Sequence, residues 1–415
     1  MMPLGYVDGA LQMEQVDLAA VAAKFGTPCY VYSRAAIEAA YRAYDAAFEQ
    51  RPHRICYAVK ANSNLAVLNL LARLGAGFDV VSGGELARVL RAGGDAGRVV
   101  FSGVGKRADE LRAALAAGIG CFNVESAAEL ARLNRLAMQM GLKAPLALRV
   151  NPDVDARTHP YISTGLRQSK FGIPAAEALA LYRHAAGLPG VQVRGIACHI
   201  GSQLIDLAPL AEAAGRVAAL REALLAEGIG IEHVDLGGGL GIAYANEAVP
   251  SHADYVAAIS APFAGSGVTL SIEPGRSIVG PAGVLLTRVE YLKPGAERNF
   301  AIVDAAMNDL LRPALYDAHH AVLPLRQSAA EPIRWELVGP VCESGDFLAR
   351  ERLLALAAGD VLALRDAGAY GFVMSSNYNS RPRPAEVLVD GHRTLLIRAR
   401  ESLDDLWRGE VLPTG

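Results

Sequence analysis

Lys60 stands directly after a short apolar run, in Tyr57-Ala58-Val59-Lys60-Ala61-Asn62. An ammonium in such a place is costly unless it is paired. A desolvated lysine can also act as a Schiff-base nucleophile toward a carbonyl. A rim lysine held in a salt bridge is the plainer alternative. Gly237-Gly238-Gly239, with Gly241 close behind, lets the backbone approach an anion and offer it N–H groups, or makes only a tight turn. Glu273-Pro274-Gly275-Arg276 pairs a carboxylate with a guanidinium. The first suits a ring nitrogen that must stay protonated, and the second suits a carboxylate. A Glu–Arg pair within a turn explains them equally well. His199, in Cys198-His199-Ile200-Gly201-Ser202-Gln203, can stack on a planar ring, hydrogen-bond a phosphate, or be structural. Cys342, in Gly339-Pro340-Val341-Cys342-Glu343-Ser344-Gly345-Asp346, is a candidate proton donor beside a carboxylate, or merely a buried thiol.

Each signal is weak alone, and their placement is what joins them. Apolar runs at 55–59, 78–81, 99–102, 121–124, 146–150, 195–200, 234–237 and 270–273 alternate with Ala/Leu/Arg/Glu-rich helical stretches. Among these stretches are 66–74, 84–92, 109–117 and 127–140, ending near Gly75, Gly93, Gly118 and Gly141. Eight strands alternating with helices suit a (β/α)8 barrel of the TIM type, although an open doubly wound sheet fits the count nearly as well. In a barrel, Lys60, His199, the glycines and Glu273 would all lie at the C-terminal ends of strands, at one mouth. Barrels of this kind often bind phosphate after strands seven and eight, where the glycines fall.

After about residue 280 the rhythm changes. Segments at 285–292, 300–304, 335–338, 360–365, 385–389 and 392–397 are short and rich in β formers. They predict an all-β second domain, which Cys29–Tyr32 could join ahead of a helix at 35–48. The expected division is 34–280 for the barrel, with 1–33 and 281–415 for a β-sandwich or β-barrel domain. A length of 415 residues accommodates both. Forty basic and 43 acidic residues leave a net charge of −3. Neither sign clusters, so nothing calls for nucleic acid or an anionic membrane. Five cysteines, Cys29, Cys56, Cys121, Cys198 and Cys342, show no metal or redox spacing. No signal peptide or membrane-length apolar run is evident, and a reducing, cytoplasmic setting is expected.

The motifs resemble those of the diaminopimelate decarboxylases, the lysine-forming branch of the fold-type III pyridoxal-phosphate decarboxylases. The likeness runs through Phe25-Gly26-Thr27-Pro28, Tyr57–Asn62, Phe78–Glu85, His199–Gln203, Asp235–Gly241, Glu273–Arg276, Met307-Asn308-Asp309-Leu310-Leu311-Arg312-Pro313, Cys342–Asp346 and Asp366-Ala367-Gly368-Ala369-Tyr370-Gly371. The Lys60 and Glu273 motifs are shared by related decarboxylases. The Arg312 run and Cys-Glu-Ser-Gly-Asp are more particular to this branch.

The resemblance implies pyridoxal 5'-phosphate as cofactor, meso-diaminopimelate as substrate, no metal, and a homodimer whose active sites are completed by the partner subunit. It makes Lys60 the lysine that bonds the cofactor and His199 the residue stacked on its ring. Ser202, Gly237, Gly238, Gly239, Arg276 and Tyr370 become contacts on the cofactor's phosphate side, Gly275 a further cofactor contact, and Glu273 the partner of its ring nitrogen. Arg276, Arg312, Tyr316, Glu343 and Tyr370 become substrate contacts, and Cys342 the acid that protonates the product. An ornithine or arginine decarboxylase of the same fold is the nearest rival, opposed by Arg312 and Glu343. An alanine-racemase-like enzyme would place an arginine where Glu273 stands. A non-catalytic regulator would have lost cofactor residues that this chain keeps. Two questions stay open: whether the 151–171 loop, with His159, Tyr161, Thr164 and Lys170, closes over the site, and whether Tyr378 touches the cofactor.

Overall fold

The computed structural model describes residues 4–155 and 170–413. The chain divides into two compact units. One holds Ala40–Ala243 and Glu247–Ser277, and the other Met1–Ala39, Tyr244–Asn246 and Ile278–Gly415.

The first unit is a closed parallel barrel. Its strands are β1 (His53–Ala58), β2 (Gly77–Val80), β3 (Val99–Phe101), β4 (Cys121–Val124), β5 (Ala144–Asn151), β6 (Val191–Ala197), β7 (His233–Asp235) and β8 (Thr269–Ile272). Each pairs in parallel with the next, and β8 pairs with β1, so no edge is left between them. The closed ladder decides between the barrel and the open sheet. Strand β6 begins at Val191, earlier than its sequence suggests. Half-buried Gln192 and Arg194 interrupt the apolar run there and hide the strand's first half.

Capping residues set where the crossover helices begin. Asn64, Ser82 and Ser126 side chains accept from the backbone N–H groups of Ala66, Glu85 and Glu129. Gly75, Gly93, Gly118 and Gly141 all take the left-handed conformation at φ 87°, 84°, 68° and 66°, which stops each helix and turns the chain toward the next strand. Small residues, Cys56, Cys121, Ala147 and Ala197, pack with Val100 inside the barrel.

The second unit carries a mixed sheet rather than a purely antiparallel one. Its main path runs Phe347–Leu354, Ile333–Val338, Phe300–Val303, Gly283–Lys293, Cys29–Ser33, Ala385–Asp390, Arg393–Arg398. Cys29–Ser33 lies parallel to Ala385–Asp390, and Phe300–Val303 lies parallel to Ile333–Val338. The N-terminal strand thus sits inside the sheet, and its five residues are all buried. Val31, Leu286, Ala363 and Val387 form the core of this unit with Leu11 and Val21.

Two features of this unit were not anticipated from sequence. Leu4–Val7 and Ala10–Met13 form a hairpin around Asp8-Gly9, whose φ values of 49° and 75° suit a two-residue primed turn. Phe347–Leu354 is a strand although Arg350, Glu351 and Arg352 give it a helical look. Those three charges lie on exposed or half-exposed positions.

Candidate active site

The barrel strands place their polar residues at one end. Register pairs Ala58 with Asp79, so Asp79 lies level with the end of β1. Lys60 follows in the single 3-10 turn Val59–Ala61. Its Nζ is 2.6 Å from Asp79 Oδ2, and Asp79 is wholly buried. The salt bridge foreseen as the plainer reading of Lys60 is therefore present, and it holds the amine among groups suited to chemistry.

Asp235 ends β7 and Glu273 follows β8. Asn123 Nδ2 reaches Asp235 Oδ2 at 3.3 Å and Glu273 Oε1 at 3.5 Å, and Ser102 Oγ reaches Glu273 Oε1 at 3.4 Å. Burial pushes the Glu273 carboxyl well above the usual carboxylate range, and the negative charges of Asp235 and Asp79 push it further. Burial raises Asp235 too, while its hydrogen bonds with Glu273 and the Gly237 N–H pull it back. Both carboxyls are pushed toward the neutral form, Glu273 more strongly than Asp235. A protonated ring nitrogen beside this pair would supply the positive charge that lets both carboxyls ionise.

Burial also pushes the His199 imidazole well below its ordinary range, with Arg149 and Lys60 adding to the shift. A neutral, flat imidazole is suited to lie against a planar ring. The glycine run follows β7 with Gly237 at φ 67° and Gly239 at φ 117°. A Cβ at Gly237 would fall 2.6 Å from His199 Nδ1, one at Gly238 2.3 Å from the Glu273 carbonyl oxygen, and one at Gly239 2.8 Å from the Gly201 carbonyl oxygen. Only glycine lets these strand ends approach so closely. The Gly237 N–H is engaged by Asp235 Oδ1 at 2.9 Å, so this residue serves through its turn. Gly275 packs against Ala61, where a Cβ would meet that of Ala61 at 2.8 Å. Arg276, 7 % exposed, donates from Nη2 to Ser202 Oγ at 3.1 Å. The structure thus gathers Lys60, His199, Ser202, the glycines, Glu273, Gly275 and Arg276 within the barrel unit.

The remaining expected residues belong to the second unit. Arg312 heads the short helix Arg312–Tyr316 and is buried. Its Nη1 lies 2.9 Å from His320 Nε2, and its guanidinium stands 4.4 Å over the Tyr244 ring. His320 Nδ1 donates to the Arg365 carbonyl at 2.7 Å, which leaves Nε2 to accept from Arg312. Cys342 and Glu343 are exposed on a loop, and the buried Asp346 carboxylate anchors it by accepting from the Met307 and Val341 N–H groups. Tyr370 holds a left-handed φ of 55° in the turn after Val361–Leu364. Tyr378 donates to Glu343 Oε1.

Asp79, Asp235, Asn123, Ser102, His320 and Tyr244 were not singled out for roles from sequence. Acids within apolar strands, as in Phe78-Asp79-Val80 and Val234-Asp235-Leu236, were the available signal. His159, Tyr161 and Thr164 lie outside the described residues. Lys170 Nζ stands 5.2 Å over the ring of Phe171. Among the described residues, no cluster of acids, histidines or cysteines could hold a metal ion, and no helix is long and apolar enough to cross a membrane.

Comparison with known proteins agrees with this chemistry. Residues 34–280 match the family described as pyridoxal-dependent decarboxylase, pyridoxal binding domain. The chain is 61% identical to the diaminopimelate decarboxylase of Pseudomonas aeruginosa over 407 residues, covering 98% of each chain. It is 57% identical to that of Vibrio cholerae, again over 98% of each. The crystal structure of diaminopimelate decarboxylase from Helicobacter pylori complexed with L-lysine superimposes with a TM-score of 0.91 at 44% identity, covering 94% of this chain and 98% of that one. The barrel-mouth residues fit pyridoxal phosphate. They would supply an amine for its carbonyl, acids for its ring nitrogen, and a glycine cradle with Arg276 and Ser202 for its phosphate. The chain belongs to the pyridoxal-dependent decarboxylases and, among them, to the diaminopimelate decarboxylase family.

Proposed function

We propose that the chain decarboxylates meso-2,6-diaminopimelate to L-lysine and CO2, the last step of lysine formation, with pyridoxal 5'-phosphate bound through Lys60. The observation that carries the substrate reading is Arg312, a buried cation fixed by His320 and stacked on Tyr244. Glu343 is a carboxylate on an exposed loop. The substrate end that does not react is itself an amino acid. Arg312, with Arg276, Tyr316 and Tyr370, binds its carboxylate, and Glu343 reaches the ammonium of the substrate held by the partner subunit. Ornithine and arginine lack that carboxylate and forgo its bonds to the buried guanidinium, a loss that can reach ~10⁴ in discrimination.

The bound cofactor supplies an electron sink for the carbanion left when CO2 departs. The chain's own residues do the rest. Lys60 would hold the cofactor through its amine between turnovers, and Asp79 stands beside its Nζ to pair with it when it is released. Glu273 and Asp235 present negative charge to the ring nitrogen. His199 bounds one side of the site as a neutral ring. Cys342 delivers a proton to Cα of the product.

The chain acts as a homodimer in the cytoplasm, with Cys342 and Glu343 serving the site of the partner subunit. Residues 34–280 form the cofactor-binding domain, and 1–33 with 281–415 form the other. Supporting the shared site, both Cys342 and Glu343 are exposed in the single chain. Purified protein should be yellow and should release CO2 from meso-diaminopimelate, but not from ornithine, arginine or lysine. Comparable turnover of ornithine would remove the roles given to Arg312 and Glu343.

A further inference from the structure

An exposed glutamate on a loop samples many rotamers, and fixing one costs side-chain entropy. If Glu343 is to take an ammonium in a defined place, something must hold it beforehand. The neighbouring segment Ser376–Ser380 does so from two adjacent residues. The Tyr378 hydroxyl donates to Glu343 Oε1, and Asn379 Oδ1 accepts from the backbone N–H of Cys342 at 2.9 Å. The segment is braced for this task. Ser376 N–H donates to the Asn308 carbonyl at 2.9 Å, and Asn308 Nδ2 returns a bond to the Ser376 carbonyl at 3.2 Å. Asn377 Nδ2 donates to the Arg381 carbonyl at 3.0 Å and to Glu401 Oε2 at 2.7 Å. Asn379 and Ser380 hold left-handed φ values of 55° and 52°, a conformation that only strong surroundings maintain. The Cys342 loop is tied through Asp346 to Met307, next in the chain to Asn308. Both loops therefore hang on one pair of residues, 307 and 308.

We propose that Tyr378 and Asn379 are positioning residues of the reaction: Tyr378 sets the Glu343 carboxylate for the substrate's distal ammonium, and Asn379 sets the backbone that carries the Cys342 thiol. This rests on the reading of Glu343 given above. A hydroxyl that occupies one carboxylate oxygen leaves the other for the ammonium. Hydrogen bonding to Glu343 in turn pushes the Tyr378 phenol above its ordinary range, so it remains a donor at neutral pH. The question of whether Tyr378 serves the cofactor thus receives a different answer: it serves the carboxylate.

The test uses the holoenzyme and three variants: Tyr378→Phe, Glu343→Gln and the double variant. Tyr378 is 43% exposed, so loss of its hydroxyl leaves folding intact. Tyr378→Phe should raise KM for meso-diaminopimelate about 10-fold with kcat within about 3-fold, as expected when binding shared by ground and transition states is lost. It should weaken binding of L-lysine, measured by calorimetry, by a similar factor. In the double variant Tyr378→Phe should add nothing to Glu343→Gln. Asn379→Ala should lower kcat with KM held. If Glu343→Gln raises KM and Tyr378→Phe leaves both KM and lysine affinity unchanged, the positioning role is overturned while the reading of Glu343 stands. Additive effects in the double variant would equally overturn action through Glu343. If Glu343→Gln itself changes neither quantity, the reading on which the proposal rests falls.

Discussion

Lys60 Nζ lies 2.6 Å from Asp79 Oδ2, the lysine in the turn after β1 and the aspartate within β2, brought level by the pairing of Ala58 with Asp79. The lysine is 39% exposed at its side chain while the aspartate is wholly buried, so the ammonium faces the mouth and its counterion lies beneath. Once the ammonium has given up its proton, the amine is placed to bond a carbonyl arriving from the open side. Lys60→Met should abolish the cofactor bond. Borohydride reduction followed by peptide mass analysis should find the cofactor on the Lys60 peptide in the native chain and on no peptide in the variant. Turnover should fall by more than about 10³. A labelled peptide elsewhere would move the role to another lysine.

Burial and mutual repulsion with Asp235 push the Glu273 carboxyl well above the usual carboxylate range, and a protonated ring nitrogen beside it would favour the charged form. Glu273→Gln keeps the shape and removes the charge. It should retain the cofactor in full stoichiometry and lower kcat by about 10² to 10³, in line with loss of one electrostatic contact at a reacting centre. Unchanged kcat would show that Asp235 alone is sufficient.

The glycine cradle predicts a packing defect with a chemical readout. A Cβ at Gly238 would lie 2.3 Å from the Glu273 carbonyl oxygen, and a backbone oxygen cannot swing aside as a side chain can. Gly238→Ala should push β7 and β8 apart at their ends. Cofactor should be lost on dialysis that leaves the native protein yellow, and thermal melting should fall by several degrees.

Arg312 is fixed by a neutral histidine and an aromatic face, an arrangement that a lysine cannot reproduce because it lacks the planar fork. Arg312→Lys should lower kcat/KM for meso-diaminopimelate by about 10² and narrow its preference over ornithine. The visible spectrum of the bound cofactor should not change.

His233 predicts a pH dependence of stability away from the mouth. It is buried under Gly195, where a Cβ would come within 2.3 Å of its Nε2. Burial, with Arg54 and Arg194 nearby, pushes its imidazole down to about 4. In the unfolded chain the ordinary value is about 6.5. Between these values the unfolded state binds the extra proton, so stability rises with pH there. The contribution is complete above about pH 6.5 and is lost as pH falls toward 4. Urea unfolding should show the native chain losing about 2 kcal/mol more than His233→Gln on going from pH 7 to pH 5. Equal losses would place the pH dependence in other groups.

Much of this was legible before any coordinates. The barrel's eight strands follow from apolar runs punctuated by helices and glycines, because local periodicity and left-handed turns are written in short stretches of chain. The mouth residues Lys60, His199, Gly237 and Glu273 could be placed together because a parallel barrel puts every strand's C-terminal end at one rim. What escaped was whatever depends on partners distant in sequence. Asp79 and Asp235 looked like acids in apolar strands until strand register set them beside Lys60 and Glu273. Barrel closure needed the pairing of β8 with β1, residues more than two hundred positions apart, which no local pattern encodes. The mixed sheet of the second unit, and the fixing of Arg312 by His320 and of Glu343 by Tyr378, were likewise decided by tertiary structure. A hydrogen bond between side chains needs atoms within about 3 Å, and only the folded chain determines which atoms those are.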